Sequence, residues 1–217
     1  MYLNVDVNPT SNPEKHKSII SALNDLSFTA DCSVDVLAYS GNSDGTRRIG
    51  NVRVNGEVVW QGSWCGHFPN CRGVNTLRID PFSCSVEECR FFDTYASETA
   101  ASQLSDYLQQ LDDGTVIVGV SADEPSKNLS GALPTLRDFG VDVGDVQRRG
   151  SFAFIAQKGF PDKTVLSKIL TEAESNSSPA QVNAIITGIN VKQESLADAK
   201  VSARQQGMYE VAKYIEC

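Results

Sequence analysis

Positive charge is scarce in this chain: 19 Lys and Arg stand against 27 Asp and Glu, for a formal net charge of −8 over 217 residues. A general nucleic-acid binder needs a basic face to release counterions from phosphate, and an anionic bilayer asks for the same, so both are disfavoured as partners. Long hydrophobic runs are missing as well. The longest, such as residues 116–120 and 184–186, are a few residues each, and none reads as a membrane-spanning helix. Histidine occurs twice and no Cys-x-x-Cys couple exists, which leaves a zinc site without ligands; no metal or other cofactor is expected. The stretch from Met1 to Pro9 also lacks the basic and apolar regions of a secretory signal.

What is present is ordinary globular material, 41% hydrophobic and 21% charged, long enough to bury a core without a cofactor. Six cysteines, at 32, 65, 71, 84, 89 and 217, argue for an oxidising compartment against the missing signal. Two acceptor sequons, Asn128-Leu129-Ser130 and Asn176-Ser177-Ser178, point the same way. A secreted or extracellular location is therefore expected. Closure of short loops suggests Cys65–Cys71 and Cys84–Cys89, leaving Cys32 to pair with Cys217, or Cys217 to bridge to another chain. Six cysteines allow about 15 pairings, so the connectivity stays open.

Along the chain, Asn12-Pro13-Glu14 opens a helical pattern in a 1–31 extension, with Ile19, Ile20, Leu23 and Leu26 on one face. Asp31 to Tyr39 alternates as a strand, and Asn55-Gly56 between β-branched runs is a hairpin turn. Residues 61–73 read as an irregular loop carrying Trp64, Cys65, His67 and Cys71. Strands are expected at 74–80 and 90–94, joined by a hairpin containing Cys84 and Cys89. Ala100, Leu104, Tyr107, Leu108 and Leu111 fall at helical spacing, with Ser97 as N-cap and Gly114 as stop. Residues 115–121 and 151–157 are apolar runs suited to buried strands, and 129–139 to a shorter helix. A helix is expected at 164–174, a strand at 181–191, and a last helix at 193–217 with Leu196, Ala199, Ala203, Val211 and Ile215 inward. The fold class is α+β, with mostly antiparallel strands and a few packed helices.

A set of motifs in fixed order then carries a resemblance. It runs through Arg72-Gly73-Val74-Asn75, Phe92-Asp93-Thr94, Leu111-Asp112-Asp113-Gly114-Thr115, Asp123-Glu124-Pro125, the Leu136–Gly140 helix end, Arg149-Gly150-Ser151-Phe152-Ala153-Phe154-Ile155 and Lys158-Gly159. The series resembles the interleukin-like EMT inducer (GG) domain family, including the lectin-like stem domain of protein O-mannose N-acetylglucosaminyltransferase. The resemblance implies a compact β-sandwich flanked by helices, and places a GG-like domain at 32–191 between the 1–31 extension and a C-terminal helix at 192–217. One departure is visible: the family's Arg-Asp-Ser/Thr-Trp stands here as Arg149-Gly150-Ser151-Phe152.

The resemblance also implies a carbohydrate site of one aspartate and one arginine, carried here by Asp123 and Arg149, for sugars of the N-acetylglucosamine type. A carboxylate acceptor facing a guanidinium donor suits neighbouring sugar hydroxyls, which both donate and accept. The alternative is structural, with Asp123 capping the next turn and pairing with Arg149. Arg148 next door leaves the arginine open by one position. Trp60, Trp64 and Phe68 offer rings for stacking on a sugar, although packing under a closed loop is the commoner use of such residues and the expected one. Cys65 with His67 would be the candidate nucleophile and base, but Cys71 is the nearer partner for that thiol, and no enzyme is expected. The expected function is an extracellular, lectin-like glycan or glycoprotein binder without catalysis, with a homodimer through Cys217 or the C-terminal helix as an option beside a helix packed on its own domain. The alternative is a secreted cytokine-like ligand for a receptor protein.

Overall fold

The structure, a computed structural model, describes residues 31–40, 50–62 and 72–186. Nine strands occur among them: β1 Cys32–Ser40, β2 Gly50–Val54, β3 Glu57–Gly62, β4 Gly73–Ile79, β5 Val86–Phe92, β6 Val116–Asp123, β7 Ser151–Gln157, β8 Val165–Ile169 and β9 Ala180–Ile186. Three short helices accompany them, α1 Ala100–Gln110, α2 Leu133–Asp138 and α3 Glu172–Ser177. The fold is sheet-rich with a few helices. The expected helices in 1–31 and 192–217 lie outside the described residues, as do Trp64, Cys65, His67, Phe68, Cys71 and Cys217.

Strands β3, β2, β1 and β9 pair antiparallel in that order, and so do β5, β4, β6, β7 and β8. A short parallel pairing, Tyr39 with Ala122 and Ser40 with Asp123, joins the ends of β1 and β6. The apolar runs explain why β6 and β7 sit centrally. Val116, Val118 and Val120 of β6, with Ala153 and Ile155 of β7, share one buried cluster with Val34, Val36, Val52 and Val182. Ile117, Phe152, Phe154 and Ala156 point the other way, into a cluster with Leu104, Leu108, Leu136 and Phe139. Strands covered on both faces lose the polar half of the period-two pattern, which is why they read as continuous apolar stretches.

Gly119 of β6 stands opposite Phe154 of β7, whose ring lies across it: a Cβ there would fall 2.1 Å from the ring's Cε1. Gly119→Ala is expected to cost about 1–3 kcal/mol by overpacking, read as a lowered denaturant midpoint with an unchanged slope. The α1 face is the one the spacing predicts, with Ala100, Leu104, Tyr107 and Leu108 buried. Its N-cap is Thr99 rather than Ser97, because the chain makes one more turn in which the carbonyl of Ser97 accepts from the N–H of Ala100.

Two further expectations are overturned. Residues 164–174 do not form one helix: Val165 to Ile169 pair with β7, and the helix begins only at Glu172, behind a capping box in which Thr171 and Glu174 bond each other's backbones. Val165, Leu166 and Ile169 imitate a helical face, but the open edge of β7 claims their backbone. The disulfide expectation also fails. Cys84 bonds Cys32 across 52 residues, with 5.4 Å between Cα atoms, so neither Cys84–Cys89 nor Cys32–Cys217 exists. Cys89 is a free, exposed thiol. It lies within β5 opposite Leu77, and the extended run from Val86 alone carries it about 10 Å from the turn, beyond the roughly 7 Å that a disulfide spans. Partial burial, then the neighbouring Glu88 carboxylate, push its pKa up.

Candidate functional site

Strand β6 ends at Asp123 in a left-handed conformation, φ 57°, and the loop before β7 ends with Arg149 in another, φ 56°. A non-glycine residue in this region stores strain on the order of 1–3 kcal/mol unless its surroundings enforce it, and such positions cluster at binding sites. Aspartate tolerates the region better than arginine does. What enforces Arg149 is Glu124, whose carboxylate is 2% exposed. Its Oε2 accepts the backbone N–H of Arg149 at 2.6 Å, while Oε1 accepts the N–H and the hydroxyl of Ser126 at 2.8 and 2.6 Å. One buried carboxylate thus clamps the segment bearing Asp123 to the segment bearing Arg149.

The guanidinium of Arg149 donates through Nη1 to Glu172 Oε1 at 2.9 Å, at the first turn of α3. That hydrogen bond is the main reason its pKa stands above the ordinary arginine value. No hydrogen bond joins Arg149 to Asp123. Among the described residues the Asp123 carboxylate has no hydrogen-bond or ion-pair partner, although Arg149 and Arg72 are near enough to act on it electrostatically. Burial raises its pKa, and the two guanidinium groups only partly oppose that.

A second polar group completes the surroundings. Arg72 grips Asp93 with two prongs, Nε to Oδ1 at 2.9 Å and Nη2 to Oδ2 at 2.6 Å. Burial works to raise the Asp93 pKa, but the bonds from Arg72 and from the Ala96 and Tyr95 N–H groups prevail and hold it low. The Arg72 guanidinium lies 4.7 Å from the centre of the Tyr95 ring, and the Lys127 ammonium 4.6 Å from it. Thr94 ties this corner to the Asp123 segment: its hydroxyl donates to the Pro125 carbonyl at 2.7 Å, and its carbonyl accepts from the Asn128 N–H at 2.8 Å. The close approach requires Gly73, where φ is 97° and a Cβ would sit 2.2 Å from the Phe92 carbonyl oxygen.

Asp123 and Arg149 are therefore brought together, with Arg72, Asp93, Tyr95, Glu124, Lys127 and Glu172 around them. Sequence reasoning singled out only the first two. Arg72 and Asp93 stood in the ordered motifs without a role, and Glu172 gave no signal. Trp60 is half-buried against the cluster of valines. The departure at Gly150 has a steric reason: a Cβ there would fall 2.7 Å from the carbonyl oxygens of Ile169 and Leu170, so no aspartate fits. Residues 72–160 match the interleukin-like EMT inducer family. The match runs from β4 through β7, takes in Arg72, Asp93, Asp123, Glu124 and Arg149, and bears out the resemblance read from the ordered motifs.

The chain is also similar to the human cell migration-inducing and hyaluronan-binding protein, 31% identical over 132 residues. That stretch covers 58% of this chain and 9% of the relative, so the chain spans about a tenth of the relative's length. Among the described residues, no helix is long and apolar enough to cross a membrane, and no group of three or more His, Cys, Asp or Glu is placed to hold a metal ion.

Proposed function

We propose that this chain is an extracellular carbohydrate-binding module, without catalysis, that holds a sugar of the N-acetylglucosamine type between Asp123 and Arg149. One observation carries the reading: a half-buried carboxylate with no hydrogen-bond or ion-pair partner among the described residues, beside an arginine, each held in a left-handed backbone conformation. Sugar hydroxyls supply the donors that Asp123 lacks and accept from the N–H groups that Arg149 does not spend on Glu172. Two features agree with it. The similar human protein is named for binding hyaluronan, a glycan, and the Cys32–Cys84 bridge suits an oxidising compartment.

A glycan array on the oxidised protein tests the reading, with Asp123→Ala and Arg149→Ala alongside. Each charge-assisted bond contributes about 1.5–3 kcal/mol, so either change is expected to weaken binding by roughly ten- to a hundredfold. A blank array from folded protein would sink the proposal. Exposed Phe91, at 42% on the edge strand β5, favours the receptor-ligand reading instead, in which Phe91→Ser and not Asp123→Ala removes activity.

Acidity gives an independent check. The pKa of Asp123 is higher in the folded chain than in the unfolded one, so the folded state holds that proton more tightly. Ionised Asp123 therefore works against stability at neutral pH, and its own contribution improves as pH falls through the folded value. Binding runs the other way, because only the carboxylate accepts two hydroxyl donors. Asp123→Asn is expected to leave the melting temperature unchanged or raised at pH 7 while weakening sugar binding. In the parent protein, binding should fade on acidification before the ordinary aspartate value is reached. A variant that instead melts earlier would mark Asp123 as structural.

A further inference from the structure

We propose that the open edge of β5 pairs with the same edge of a second copy of this chain, antiparallel about a two-fold axis at Cys89. Strand β5 ends its sheet, with β4 on one side only, and among the described residues 87–91 make no backbone hydrogen bond outside that pairing. The edge is uncovered as well: Cys89 and Phe91 are exposed, and the side chain of Arg90 is 52% exposed. A row of unpaired N–H and C=O groups is a template for another strand, and a two-fold contact asks only that the patch complement itself.

Charge selects both the copy and the register. With Cys89 on the axis, Glu88 stands directly opposite the partner's Arg90, and the symmetry repeats the pair. Both side chains lie on the α1 face, against Tyr107, where Arg90 Nε donates to Glu88 Oε1 at 2.7 Å within one chain. Among the described residues, Glu88 and Arg90 engage only each other, Arg78 and Tyr107. Pairing closes a ring of four charges that alternate in sign. An axis moved to Arg90 or to Glu88 sets that residue against its own copy, and like charges directly opposite are destabilising.

A bulge in β5, where Arg78 faces Glu88 and the next pair is Ile79 with Val86, ends the regular run at Glu88. The ladder between copies is therefore short, and a pair of strands alone is marginal in water. The central residue supplies what the ladder lacks. Residues directly opposite in an antiparallel pair have Cα atoms about 4.5–5.5 Å apart, inside the roughly 4.4–6.8 Å that a disulfide spans. The two Cys89 thiols then join by exchange with a small disulfide such as oxidised glutathione. One Cys89 thiolate attacks it and releases a glutathione thiolate, and the second Cys89 thiolate displaces the other. Two thiols are oxidised, one disulfide is reduced, and the two protons pass to the departing thiolates.

The test incubates the whole chain with oxidised glutathione at rising protein concentration, follows dimer by non-reducing electrophoresis, and digests the dimer band for mass spectrometry. A dimer carrying a Cys89–Cys89 peptide is expected, and Cys89→Ser should not form it. Its initial rate should fall about tenfold in Arg90→Glu and in Glu88→Arg. The double variant Glu88→Arg/Arg90→Glu should recover the rate, because the ring of charges returns with its signs exchanged. That rescue separates pairing from misfolding, since the double variant keeps both substitutions. Four results would overturn the proposal: no dimer from protein with a cooperative melt, a dimer joined through another cysteine and undiminished in Cys89→Ser, a rate indifferent to both charge reversals, or a double variant no faster than the singles.

Discussion

Replacing Cys32 or Cys84 by serine is expected to lower the unfolding free energy by about 4 kcal/mol. The figure follows from the 52-residue separation closed by the bridge, whose removal restores loop entropy to the unfolded chain. A domain of ordinary stability has about 5–15 kcal/mol in all, so the variant keeps as little as a fifth of it. For a chain of this size the melting temperature should fall by roughly 8–16 °C. The bridge joins the first residue of β1 to the turn between β4 and β5, two segments that do not pair with each other as strands, so no ladder of backbone hydrogen bonds replaces it. Cys89→Ser is the control. That thiol is exposed and free, and its loss should change stability by no more than about 0.5 kcal/mol. Equal melting of the parent with and without reductant, or a large effect of Cys89→Ser, would contradict the pairing.

Where the sequence was legible, one short segment held the whole signal. Asn55-Gly56 needs no distant partner to turn a hairpin, and Asn55 does adopt the left-handed conformation, at φ 51°. The α1 face is written in five residues of helical spacing, and the apolar runs of β6 and β7 announce strands covered on both sides. Apart from the N-cap of α1, the misreadings turn on partners far away in the chain. Val165 to Ile169 carry a pattern that suits either a helix or a strand, and β7 decides it. Cys84 and Cys89 are neighbours in sequence, but the strand between them holds them apart while the fold brings Cys32 to Cys84. The site divides in the same way. Asp123 and Arg149 were legible through the ordered motifs, whereas Glu124 was overlooked because its partner is the backbone of a residue 25 positions on. A buried acidic residue has no local signature, since burial is set by what packs over it.

Glu124 is accordingly where the largest loss in the site is expected. Glu124→Ala removes the acceptor for three donors at once: the Arg149 N–H, the Ser126 N–H and the Ser126 hydroxyl. A buried group left unpaired costs about 1–3 kcal/mol, and the Ser126 hydroxyl can rotate to another acceptor, so a total of about 3–5 kcal/mol is expected from urea unfolding. Glu124→Gln is the sharper variant because it preserves volume. One amide oxygen still accepts, but the amide nitrogen must face a donor on the other side, at Ser126 or at Arg149. A loss of about 2–3 kcal/mol is expected, with a cooperative transition that lets binding be measured on folded protein. Because Glu124 enforces the left-handed backbone at Arg149, sugar affinity should drop in Glu124→Gln although Glu124 has almost no exposed surface to offer a ligand. The contrast with Asp123→Asn separates the two roles: one carboxylate holds the site together at the cost of nothing to the fold, and the other weakens the fold slightly and meets the sugar. Unchanged affinity in a destabilised Glu124→Gln would show that the spacing of Asp123 and Arg149 does not matter to the ligand, and would leave the clamp with a purely structural part.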